Sequence, residues 1–470
     1  MQRPSDALLE ETKLLDQLTQ HNVGCVFNLT EPGEHPYCGT GILDSTGFPY
    51  SPEKLMAKGV RHFNYSWPDM TCPAVSLVLD IVQVACHQLN DGLKIAVHCH
   101  AGFGRTGIVC ACVLIAKFKL TADEAIDLVR RQRPGSIQTA LQVDFVRSTF
   151  NSTWKSLLTI FPTTAKATEV LMKSIKESIR DQQQLLSVEE LSHRTFRWLP
   201  KIFHALTTCF AASHLQTSEA QGVFYAAITG LVWENTSGAE CTTVEDAGDN
   251  ILVSGDFSML LAYIKDEVNG DKWGALETLV RCKSSDGCFS SVVGDDAAAA
   301  KEQHESPLGE SAAVATPVGV AVAVQLALDW MDTRSDCVID ASCLGHLSAL
   351  LSTTMATESS ASPTTANLLA SHVREIVTRQ LCKSRLAILK VLVQLIECFE
   401  GNTAAQFSAA VRIALSCLQL TPDLVTSGRR TSSEFLASCR RNFLHLAPLD
   451  SRIQSVVIVA RLLSIKALFL

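Results

Sequence analysis

The sequence predicts a three-layer α/β domain with a mainly parallel sheet, followed by a mostly α-helical C-terminal region. Three observations predict it. Short apolar runs alternate with helical patterns through the first third of the chain, as strands joined by crossover helices do. The run Leu93–Cys99 (LKIAVHC) is almost continuously apolar, as expected of a strand buried on both faces. Past about residue 165 strand signals fade, and apolar residues recur at helical spacing.

Asp6–His21 carries apolar residues at helical spacing and predicts one helix, and Gly24 followed by CVFNL reads as a short buried strand. Glu31–Pro52 is a long Pro/Gly-rich loop, and loops of that length are usually functional or disordered. A helix over Pro52–Gly59, a strand over Arg61–Tyr65 and the loop WPDMTCP follow. Ala74–Leu89 is strongly helical, and Asn90-Asp91-Gly92 supplies its stop. After Leu93–Cys99 come a Gly-rich turn and a helix from about Thr106 to Phe118. Thr121, with Glu124 three residues on, predicts a capping box opening the next helix. These boundaries give an α/β domain over 1–160, a helical region over 165–283 and a linker rich in Ser, Gly, Ala and Asp over 284–317. A helical domain over 318–470 carries a disordered insertion near 352–365. Ala167–Leu186 and Arg197–Ser213 are the first helices expected after the α/β domain.

Composition removes several functional classes. With 47% hydrophobic and 19% charged residues the chain is too apolar to be wholly disordered. A net charge of -8 argues against charge-driven nucleic-acid binding. The 17 cysteines form no regular framework and no paired CxxC motifs, so reduced thiols and a cytoplasmic location are expected. No apolar run is long enough to predict a membrane span.

One segment concentrates the chemistry: VHCHAGFGRTG, Val97–Gly107, running from a buried strand through a turn into a helix start. Unpaired backbone N–H groups and the positive end of the helix dipole make that place an anion site. Cys99 sits in the turn, where such donors favour its thiolate, and Arg105 follows six residues later with a planar fork suited to phosphate oxygens. His100, Ala101, Gly102, Phe103 and Gly104 form the candidate phosphate cradle, the two glycines letting its amides converge. Thr106 adds a hydroxyl near the sulfur, where it can stabilise a departing thiolate. These parts suit displacement at phosphorus through a phosphocysteine. The Walker sequence GxxxxGK[ST] is absent.

HCxxGxGR[ST] resembles the signature loop of the cysteine-dependent protein tyrosine and dual-specificity phosphatases. Trp67-Pro68-Asp69 resembles that family's mobile general-acid loop, and Arg130–Gln142 is similar to the loop after the signature helix in the mitotic-exit dual-specificity phosphatases. The resemblance covers roughly Met1–Phe150. It implies a phosphatase domain over 1–160, with Cys99 as nucleophile, Arg105 as phosphate clamp and Asp69 as the acid and then the base. It makes Gln138 and Gln142 candidates for orienting the hydrolytic water, although a solvated helix start explains them nearly as well. Family strand structure normally precedes the segment matching Met1–Pro4, so the domain is expected to be truncated at its N-terminus.

Charge neutralisation by Arg105 and backbone amides needs no cofactor and no metal, and the dispersed histidines and cysteines suggest no ligand set. The expected partners are phosphorylated protein substrates, with protein partners for the helical region, and centrosome or cilium association implied by resemblance alone. Two alternatives stand beside a phosphatase for phosphotyrosine, phosphoserine and phosphothreonine. The first is a phosphoinositide or other non-protein phosphatase; loops for polyanionic headgroups tend to carry lysines between Cys and Arg, where this one has His100 and Phe103. The second is a scaffold with vestigial catalysis, against which the joint presence of Cys99, Arg105 and Asp69 counts.

Overall fold

The computed structural model describes residues 1–161, 173–186, 190, 192–212, 254–269, 273, 276, 317–355, 363–397, 403–420, 439, 451–465 and 468. The linker expected over 284–317, apart from Pro317, and the core of the insertion near 352–365 lie outside these residues. The chain forms two compact units, Met1–Leu158 with Gln184–Ser192, and Thr159–Gln183 with His193–Leu470.

In the first unit, α1 (Asp6–Glu11) and α2 (Leu14–Gln20) precede β1 (Val23–Asn28), and α3 (Pro52–Met56) precedes β2 (Arg61–Asn64). Then come α4 (Val75–Asn90), β3 (Lys94–His98), α5 (Gly104–Phe118), α6 (Ala122–Gln132) and α7 (Ala140–Asp144). A π-helical turn, Phe145–Phe150, leads from α7 into α8 (Asn151–Leu158). The three strands pair in parallel in the order β2-β1-β3.

Period-2 alternation along β1 builds the layers. Cys25 and Phe27 point to a cluster with Ile81 and Ala85 of α4 and Val109 of α5. Val26 points the other way, against Leu9, Leu18 and Leu55 of α1, α2 and α3. The sheet is therefore covered by helices on both faces. The other side of α4 and α5 buries Val78, Val82, Ile108 and Ile115 against Ile126 of α6 and Phe150.

Three expectations need correction. The helix expected over Asp6–His21 breaks in two, because Lys13 adopts φ 50 at the N-cap of α2. Thr12 caps α1 by donating its hydroxyl to the Leu8 carbonyl, and its own carbonyl accepts from the Gln17 side-chain Nε2, so the break has these polar groups paired. β3 is only partly buried until His98; the strand buried most completely is β1, since β1 has a strand on each side and β3 is paired along its length only with β1. The helix expected over Arg197–Ser213 begins at Lys201, after Pro200 and a 3-10 turn, Arg194–Arg197. The predicted capping box forms, with Thr121 and Glu124 bonding reciprocally at the start of α6.

From residue 175 the described elements are helical: α9 (Ile175–Leu185), α10 (Lys201–Ala212), α11 (Ser254–Asn269), α12 (Pro317–Asp332), α13 (Ala341–Met355), α14 (Pro363–Gln380), α15 (Lys383–Glu397), α16 (Thr403–Cys417) and α17 (Ser451–Leu463). Leu326 and Trp330 of α12, Ile388 and Leu392 of α15, Ile413 of α16 and Val457 of α17 belong to one apolar core. Among the described residues no helix is long and apolar enough to cross a membrane.

Candidate active site

Cys99 follows β3 directly, and α5 opens at Gly104, so strand and helix fix both ends of the intervening turn. Gln2 pairs with Cys99 as a parallel bridge, and the Arg3 amide donates to the His100 carbonyl at 3.1 Å. The Gly102 amide donates to Cys99 Sγ at 3.3 Å. Gly102 has φ +80, and a Cβ there would run into the Met1 backbone, so the turn requires glycine. A Cβ on Gly104 would lie 2.9 Å from both Gln138 Oε1 and Gln142 Nε2, which brings the two candidate glutamines against the start of α5. Gln142 is buried and Gln138 exposed.

The Arg105 side chain is fully buried. Its guanidinium donates to the carbonyls of Leu29 at 3.1 Å and Trp67 at 2.9 Å. It also takes the Glu34 carboxylate in a two-pronged pair, at 2.7 Å to Oε2 and 2.5 Å to Oε1, and reaches Asp69 Oδ1 at 3.1 Å. The fold thus brings Asp69 and Arg105 into contact and adds Glu34, which the sequence did not single out. A buried guanidinium demands a carboxylate partner, and Glu34 is one of three acids, with Glu31 and Asp44, in the long Pro/Gly-rich loop Glu31–Pro52. That demand was the available signal.

Charges follow from this packing. Burial raises the Glu34 carboxyl, but donation from Arg105 and the Glu31 amide outweighs it and leaves the group below its ordinary value. Asp69 is likewise raised by burial and lowered more by Arg105, the Met70 amide and His35, whose Nε2 lies 3.2 Å from Oδ2. For Arg105 burial works against the charge, and Glu34 and Asp69 more than restore it. His98 is pushed down to about 3 by burial and stays neutral. Its main partner is the Tyr50 hydroxyl at 2.8 Å, with a weaker contact to the Cys99 carbonyl at 3.4 Å, so it braces the strand end from below more than it braces the turn.

Six buried side-chain polar atoms lack a hydrogen-bond partner among the described residues. Four are His100 Nδ1, Arg105 Nε, Thr106 Oγ1 and Gln142 Nε2; a fifth, Arg133 Nε, belongs to a guanidinium stacked 4.3 Å over the Phe103 ring. Arg133 also donates to the Ala101 carbonyl, and Arg130 to those of Ser136 and Ile137, so these arginines tie loops together. Each buried orphan costs about 1–3 kcal/mol. Three of them belong to His100, Arg105 and Thr106, in or just after the Cys99 turn, and one to Gln142 beside Gly104, where a polar ligand would find partners.

The folded loops also gather ligand types that looked dispersed in the sequence. His35, Cys38 and His100 offer atoms within 4.8 Å of one another, and so do Glu34, His35 and Asp69.

The sequence is similar to those of known proteins. The family described as "Polymorphic toxin system, DSP-PTPase phosphatase" matches residues 2–119. Residues 2–119 are thus similar to the DSP-PTPase phosphatases. Protein tyrosine phosphatase domain-containing protein 1 of Mus musculus is 37% identical over 204 residues, covering 43% of this chain and 26% of that protein. Tyrosine-protein phosphatase CDC14 of Saccharomyces cerevisiae is 42% identical over 88 residues, 19% of this chain and 16% of that protein. The crystal structure of Tk-PTP in the active form matches at 27% identity and a TM-score of 0.26, covering 32% of this chain and 88% of that one. The chain spans about a quarter of the length of the relatives first matched. Within the DSP-PTPase match fall Glu34, Asp69, Cys99 and Arg105, while Gln138 and Gln142 lie beyond it.

Proposed function

We propose that the DSP-PTPase domain is a protein phosphatase that hydrolyses phosphotyrosine, and also phosphoserine and phosphothreonine, through a phosphocysteine on Cys99. The observation that carries this reading is the set of unpaired buried polar atoms converging on the Cys99 turn, beside a fully buried guanidinium. Glu34 and two carbonyls hold the outer nitrogens of Arg105, which leaves its Nε for a phosphate oxygen.

Cys99 Sγ attacks phosphorus, the bond to the substrate oxygen breaks, and Asp69 delivers a proton to that oxygen. Water then attacks the phosphocysteine, gives its proton to Asp69, and expels the thiolate as phosphate leaves. Thr106 donates its hydroxyl to the departing sulfur. Gln142, buried with an unpaired amide nitrogen beside Gly104, is the better of the two glutamines for holding that water. Asp69 must be protonated for the first step, although Arg105 favours its ionised form. A phosphate dianion on Arg105 offsets that pull, so substrate itself prepares the acid.

His100 and Phe103 in the turn favour phosphopeptides over phosphoinositides, and the purified chain assayed on both decides between them. Phosphopeptide turnover should dominate; preferential phosphoinositide turnover overturns the reading. Asp69→Ala should lower kcat by about two to four orders of magnitude while substrate still binds, so the variant traps phosphoproteins from cell extract. Wild-type kcat in this variant counts against Asp69 as the acid. Cytoplasmic residence rests on the cysteine pattern, protein partners on the helical region, and centrosome or cilium association on resemblance alone; imaging of the tagged full chain tests the location.

A further inference from the structure

We propose that His35, Cys38 and His100 form a site for one zinc-like divalent cation, joining the turn Glu34–Cys38 to the Cys99 turn. The catalytic reading uses neither His35 nor Cys38 as a reacting group. Their ligand atoms and one from His100 lie within 4.8 Å of one another. Zinc bonds of 2.0–2.1 Å to nitrogen and 2.3 Å to sulfur, in a tetrahedron, place ligand atoms about 3.3–3.8 Å apart. Each pair therefore needs to close by at most about 1.5 Å, within reach of side-chain rotation.

The frame around them is already built. Arg3, itself buried, donates to the carbonyls of Glu34 at 2.9 Å, His35 at 3.1 Å and Cys38 at 3.1 Å. The Cys38 amide closes the same turn onto the His35 carbonyl at 3.2 Å. The backbone spacing of this H-x-x-C pair is thus fixed from below, and the Cys38 thiol is free and exposed. The His35 and His100 rings stack with centroids 4.1 Å apart, and His100 Nδ1 is buried with no partner of its own. Asp69 Oδ2 lies 3.2 Å from His35 Nε2, so a carboxylate already holds one nitrogen of that ring. A metal-bound imidazole commonly carries such a carboxylate on its far nitrogen. Two imidazoles and a thiolate select zinc or cobalt over calcium or magnesium, and three protein ligands leave one position open. Binding displaces the Cys38 thiol proton to solvent as the sulfur–metal bond forms.

The test uses full-length Cys99→Ser, which removes the sulfur of the candidate active site as a competing ligand and measures no turnover. Zinc is titrated against a chromophoric chelator, and cobalt(II) is followed by its thiolate-to-metal charge-transfer band. Adding Cys38→Ser should remove one equivalent of tight zinc and one thiolate's share of the cobalt band. Adding His35→Ala in its place should weaken the same site at least tenfold. Unchanged stoichiometry and affinity in the Cys38→Ser variant, which alters only an exposed side chain, overturns the proposal whatever the outcome of the phosphatase assays. Magnesium or calcium binding as tightly as zinc overturns it as well.

Discussion

Arg105 is held between two carboxylates inside the protein, and Glu34 supplies most of its compensation. Glu34→Gln leaves the buried guanidinium with Asp69 alone, so the domain should lose about 3–5 kcal/mol of stability, the usual cost of breaking a buried pair. Tungstate, an oxyanion able to occupy the same fork, should then raise the melting temperature of the variant more than that of the wild type. An unchanged melting curve contradicts this view of Glu34. His98 gives a second residue-scale expectation. Its folded-state pKa of about 3 lies below the unfolded value of 6.5, so between these pH values the unfolded chain binds the extra proton. Stability must fall as the pH drops through that window, by about 2 kcal/mol between pH 7 and 5, at 1.36 kcal/mol per pH unit below 6.5. Glu34 and Asp69, with lowered values, also lose their stabilisation toward acid, but at pH values below the ordinary carboxyl range. His98→Asn should flatten the denaturant midpoint between pH 7 and 5; an unaltered slope there removes His98 from the account. Cys99 and Arg105 were legible in the sequence because one short segment carries both. Glu34 was not, being 71 residues from Arg105, and only folding brings them together.

At the scale of elements, β1 organises the domain, because its alternate residues serve the cores on both faces of the sheet. Phe27 is fully buried there and meets Phe63 and Tyr65 edge-on, with ring centroids 5.6 and 5.4 Å away. Phe27→Ala should cost about 3–5 kcal/mol, read as a lower urea midpoint with the slope unchanged. A loss under 1 kcal/mol would mean that the sheet's core lies elsewhere. Helical periodicity made α4 and α5 legible, and the Thr121–Glu124 pair marked the start of α6. The break at Lys13 was hidden, since no glycine or proline announces a left-handed residue that Thr12 and Gln17 stabilise locally. Strand order was hidden too. Leu93–Cys99 looks the more buried strand by composition, yet parallel pairing puts β1 in the middle.

Across the whole molecule, the α/β unit and the helical unit each have their own apolar core. The change in periodicity past residue 165 made the mainly helical character of the C-terminal region legible, because sheets and helices impose different apolar spacings. The catalytic proposal belongs entirely to the first unit, where a thiol, a buried guanidinium and a carboxylate acid meet around unpaired donors. Its central claim is that the phosphoryl group passes through Cys99. The direct measurement is to mix the full chain with a phosphotyrosine peptide carrying labelled phosphate, quench within the first turnover and map the label. The account predicts label on the peptide containing Cys99, lost together with turnover in Cys99→Ser. Turnover with no label on Cys99, or turnover that persists in Cys99→Ser, contradicts it.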